Sequence, residues 1–168
     1  MAQTLAGTAE SNAASVHRTL DDLDQAILRL TRRMNADCHA LLVLVREFDE
    51  RCGWMSWGSS SCAHWLAWRC DLSLSAAREQ VRVAHALKTL PGISAAFATG
   101  VLSYSKVRAL TRIATPHEEA ELIRMATCMT AAHLDQHCQQ RRNGCVESRI
   151  DAANAHSQRS LRSFCDER

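Results

Sequence analysis

Apolar residues recur at Val16, Leu20, Leu23, Ile27, Leu30, Met34, Leu41, Val45 and Phe48. Steps of three and four between them repeat like a heptad and keep one apolar stripe along one side of an α-helix. No glycine or proline interrupts the chain from Val16 until Gly53, so nothing in the backbone forces an earlier stop. The ladder predicts one long helix over 15–51, or two with a kink at its weak points, Asp37 and Cys38. Gly53 is expected to close it as a left-handed C-cap. Two partners satisfy such a stripe: the chain's own helices, or a second copy in a homodimer through residues 16–48.

After Gly53 the punctuation remains helical. The serines at 59–61 are placed to cap a helix over Cys62–Arg69. Asp71-Leu72-Ser73 reads as a tight connection, and Ser73 or Ser75 as the cap of a helix reaching Leu90, where Pro91-Gly92 stops it. A short helix follows over Ile93–Thr99 with Gly100 as its C-cap, and Ser103 caps another to about Ala114. Thr115-Pro116-His117-Glu118 combines a cap, a proline and a glutamate in the order of a helix start. That helix is expected to end near Cys128, and Thr130 to start another that ends at Asn143-Gly144. No stretch alternates as a strand does. The expected fold is all-α and multi-helical, with a long N-terminal helix and two helix-turn-helix-like units. Its expected limits are a disordered leader over 1–14, a helical domain over 15–145 and a polar, partly helical tail over 146–168.

Within that plan one phrase is written twice. LSLSAAREQVRVA begins at Leu72 and LSYSKVRALTRIA at Leu102, with Leu, Ser, Ser, Arg, Arg and Ala in register. Each copy carries two arginines four apart, hence on one helix face. The net charge of +2 conceals a segregation. Residues 60–115 hold seven basic and two acidic side chains, whereas residues 1–50 hold five basic and eight acidic ones. A helical hairpin with a cationic second helix is the arrangement that enters a DNA groove. Arg78, Arg82, Lys106, Arg108 and Arg112 are therefore the candidate nucleic-acid contacts, with double-stranded DNA as the partner. Two features weigh against it. Arginines four apart also line ordinary solvated faces, and Asp71 in the turn would repel a phosphate.

Other chemistries find less support. The eight cysteines include no CxxC pair, so they are read as small apolar residues, and no metal or other cofactor is expected. His133 and His137 lie four apart with Cys138 beside them, but the glutamate of an HExxH motif is missing. Glu118, Glu119 and Glu121 sit where acids favour a helix dipole. Ser59–Ser61 lacks the glycines of a nucleophile elbow. There is no glycine-rich phosphate loop, no apolar run long enough for a membrane and no signal-peptide pattern at the N-terminus, so a cytoplasmic protein is expected.

WL at 65–66, LSLSAAREQVRVAHALKTLP at 72–91, GVLSYSKVRALTRIATP at 100–116 and TAAHLDQ at 130–136 occur in an order and spacing that resemble the domain of unknown function 222, or 13E12-repeat, family. The resemblance runs from about Leu23 to Arg168. It implies the helical region that members carry ahead of an HNH endonuclease domain. No HNH-type cluster follows residue 116, so the expectation is a truncated, non-enzymatic member with no catalytic residue. Its expected role is a helical DNA-associated module, the alternative being a helical interaction or self-association module that does not bind nucleic acid.

Overall fold

The computed structural model describes residues 18–144; the expected leader over 1–14 and tail over 146–168 lie outside the described residues. Its longest element starts at Thr19. The Thr19 hydroxyl accepts from the Asp22 amide at 3.1 Å, and the Asp22 carboxylate accepts from the Thr19 amide at 3.1 Å. This reciprocal capping box satisfies donors that no earlier turn can reach. From there α1 runs over Leu20–Glu50, continuous through Asp37 and Cys38. Its end differs from expectation in one residue. Cys52, with φ 51°, takes the left-handed conformation in place of Gly53. Gly53 answers a different need: a Cβ there would stand 2.3 Å from the Phe48 ring.

A 3-10 helix over Gly53–Trp57 leads to α2, Cys62–Arg69, capped by Ser61. Asp71, with φ 52°, turns the chain into α3, Leu74–Ala86, capped by Ser73, whose hydroxyl accepts from the Ala76 amide at 3.2 Å. A 3-10 helix over Leu87–Thr89 extends α3. Pro91 then opens α4, Pro91–Ala98, where its missing N–H removes no helix bond. Ser103 caps α5, Tyr104–Leu110, which ends short of the expected Ala114. The Thr115-Pro116 signal forms a turn, with Thr115 donating to Glu118 at 2.7 Å, and α6 follows over Glu119–Cys128. Thr130 caps α7, which spans 131–144. The described residues contain no strand, and the fold is all-α.

The core forms where the second half of α1 lies on α3 and α4, with α2 packed along α3. Leu42, Leu66, Val83, Ile93, Phe97 and Leu110 are completely or almost completely buried. Each such side chain contributes roughly 1.5–3 kcal/mol by leaving water. Polar ties flank this contact. Asp49 accepts from Trp54 Nε1 at 3.0 Å and meets His85 Nε2 at 2.8 Å, Lys88 meets Glu50 at 2.7 Å, and His39 meets Ser94 at 2.8 Å. Glu119 is buried, at 7% exposure, because it serves α4. That helix has no side-chain cap of its own, and the Glu119 carboxylate accepts from the Ile93 amide at 2.7 Å.

Candidate functional site

Two surfaces carry the features that the sequence singles out. The first is where the repeated phrases meet. Ser73 and Ser103 cap α3 and α5 in the same way, so the two copies start alike. They lie side by side. Arg82 on α3 reaches the end of α5, where its guanidinium donates to the Arg108 carbonyl at 3.2 Å and to the Thr111 hydroxyl at 3.2 Å.

Their shared charge is organised around Glu79. Its carboxylate accepts two bonds from Arg82, at 2.9 and 3.0 Å, and one from Arg112 at 2.7 Å. The Arg82 bonds, with the one from Arg112, outweigh partial burial and hold the Glu79 carboxyl down at about 2. Lys106 donates to the Ala126 carbonyl at 2.6 Å near the end of α6. Arg108 stands 4.0 Å from Asp135. Arg78 is exposed. Four of the five candidate cations are thus engaged within the fold, though Arg82, Arg108 and Arg112 keep 35, 43 and 37% of their side chains exposed. Glu79 is the residue whose role sequence reasoning missed; its place in the second turn of α3, between Arg78 and Arg82, is the signal that was available.

The second surface is on α1. Leu20, Leu23, Ile27, Leu30, Met34, Leu41 and Leu44 are all exposed, Leu20 at 84% and Ile27 and Leu44 at 63% each. Their spacing is that of heptad a and d positions, and only Asp37 interrupts it. The sequence ladder runs through Val45, but Val45 turns into the core beside Leu42, and Leu44 continues the exposed stripe. Beside Leu42 and Val45 the body grips one side of α1, and Leu41 and Leu44 stand roughly a third of a turn around from it, whereas Ile27 is in line with Val45 and stays exposed because it precedes the segment that the body covers. At its C-terminal end the stripe meets an open apolar groove of about 640 Å³. Leu41, Leu44 and Phe48 form one wall, and Cys62, Trp65 and Leu66 the other. Burial, helped by the nearby Asp49, pushes the Cys62 thiol up to about 11, which suits a packing residue and not a nucleophile.

The metal candidates do not converge: among the described residues, no three His, Cys, Asp or Glu side chains are grouped to hold an ion. Cys138 is buried and His133 is exposed. No helix among those described is long and apolar enough to cross a membrane.

A family model described as "Domain of unknown function (DUF222)" matches residues 17–167. The chain belongs to the DUF222 family. No curated protein and no solved structure matches it. The DUF222 match spans α1 as well as the repeated helices, so both surfaces lie inside the family's region.

Proposed function

We propose that this DUF222 chain is a helical interaction module that self-associates through the heptad face of α1, the occupant of that face being a second copy of the chain. One observation carries the reading: seven apolar side chains stand exposed in a single a/d stripe from Leu20 to Leu44. Monomers rarely leave so long an apolar surface in water. A heptad stripe is also self-complementary, because each knob fits the holes between its own counterparts. The first turns of α1 need the same help, since a helix segment with no packing partner is marginal in water.

Sedimentation velocity over a concentration series is the test. The expected result is a dimer that the double substitution Ile27→Asp, Leu30→Asp converts to a monomer of unchanged helicity. A wild-type chain that stays monomeric at the highest concentrations ends this reading.

A second reading is association with duplex DNA through Arg78, Arg82, Lys106, Arg108 and Arg112, in a module that accompanies an HNH nuclease. What favours it is the side-by-side placement of the two copies, with three guanidinium groups a third or more exposed. Glu79 and Asp135 subtract from that charge. Phosphate contacts predict duplex binding that falls steeply with salt and weakens in Arg78→Glu. Absence of binding to a mixed duplex pool at low salt removes this reading.

A further inference from the structure

We propose that two copies of α1 pair antiparallel, with the two-fold axis between Ile27 and Leu30; this rests on the self-association through α1 described above. The argument begins with Asp37, the one polar residue in the stripe. In a parallel pair in register, Asp37 would face Asp37 of the partner subunit, two carboxylates in one apolar layer. In the antiparallel pair, a positions meet d positions. Leu23 then packs on Met34 of the partner subunit and Ile27 on Leu30 of the partner subunit, with the mirror contacts completing four apolar layers. Asp37 falls in the end layers, beside Leu20 of the partner subunit.

The charges along α1 give an independent reason. Its first turns carry Asp21, Asp22 and Asp24, and its next turns Arg29, Arg32 and Arg33. Parallel copies would set acid beside acid and base beside base. In the antiparallel register the acidic turns of one copy lie level with the segment of the other that carries Arg33, an attraction at long range and not a contact pair, since Asp24 at e and Arg33 at g flank opposite sides of the seam. Sliding the pair by one heptad, so that Leu20 meets Leu44, would put Asp37 against Ile27 and bring the two Arg33 side chains together. The charge pattern therefore selects one register as well as one direction.

The fold leaves room for this pairing. The body touches the α1 backbone at Arg32, against Gly100, and beyond it holds the side marked by Leu42 and Val45. The overlap from Leu20 to Asp37 is about 27 Å long, and most of it, from Leu20 to Leu30, precedes the contact with the body at Arg32, with the two bodies at opposite ends. Within the overlap five apolar side chains of the stripe, Leu20, Leu23, Ile27, Leu30 and Met34, are exposed by two-fifths or more.

Cysteine cross-linking in the full-length chain reads direction and register together. Leu23→Cys and Met34→Cys chains are made separately, mixed, oxidised mildly and mapped by peptide mass spectrometry. Both positions are exposed, so neither substitution empties the core, and circular dichroism checks helicity. The expected result is a link between positions 23 and 34 in the mixture and no link in either chain alone, where the two thiols are about 16 Å apart along the axis. A 23–23 link in the Leu23→Cys chain alone would overturn the antiparallel direction while leaving self-association intact. A wild-type dimer that yields neither link would overturn this register. A wild-type monomer in sedimentation would overturn the association itself.

Discussion

The two halves of α1 share one heptad ladder and one continuous backbone, yet they live in different surroundings. From Cys38 to Glu50 the helix spends Leu42 and Val45 on the core and ties Asp49 and Glu50 to His85 and Lys88. From Leu20 to Met34 its apolar residues face water. The contrast separates two jobs that one pattern carries. The packed half stabilises a fold, and its loss unfolds the chain. The free half makes no such contacts with the body, and on the reading proposed above its loss changes only association.

The widest gap between the halves is expected in core truncation. Leu42→Ala should lower the unfolding free energy by about 2–5 kcal/mol, because it leaves a void that the neighbours cannot fill. Ile27→Ala, measured by the same urea melts at low concentration, should change it by less than about 0.5 kcal/mol. A comparable loss at both sites would break the comparison.

Acid should sharpen it. The folded Glu79 carboxyl is held at about 2, below its ordinary 4.5, so its contribution is present above pH 4.5 and is lost as pH falls from there towards 2. Glu79→Gln should remove on the order of 2 kcal/mol at neutral pH, after allowance for its partly exposed partners, and flatten that acid slope. Hydrogen exchange over residues 20–31 should not respond, since Glu79 braces the body alone. The smallest effect is expected at the free end. Thr19→Ala should cost about 1 kcal/mol of helix start and speed exchange in the first turn of α1, with the melting of the body unchanged.

Much of this architecture was legible in the sequence, because caps and periodicity are local. Ser61, Ser73, Ser103 and Thr130 all cap helices where the residue pattern places them. The boundaries that moved did so for reasons that are not local. The helix after α3 starts at Pro91, two residues ahead of the expected Ile93, and Glu119, distant in sequence, supplies an acceptor for its Ile93 amide. Cys52 adopts the left-handed turn because Gly53 is committed to passing close to Phe48. The candidate cations were legible as a charge excess, but their engagement was not. Outward-pointing arginines at four-residue spacing look the same whether they wait for phosphate or share Glu79. The heptad stripe was visible too, but only the fold separates the positions it leaves free from those it covers.

Gly100 has a mechanical consequence. A methyl group at its Cβ would sit 2.2 Å from the Arg32 carbonyl oxygen, so the turn after α4 works as a fulcrum under the long helix. Residues 20–31 form an arm of about 18 Å beyond that point. A slight tilt at the fulcrum therefore becomes a displacement several times larger at Leu20. Filling the notch with alanine would pry the arm off its seat and misdirect the far tip without touching any residue on it.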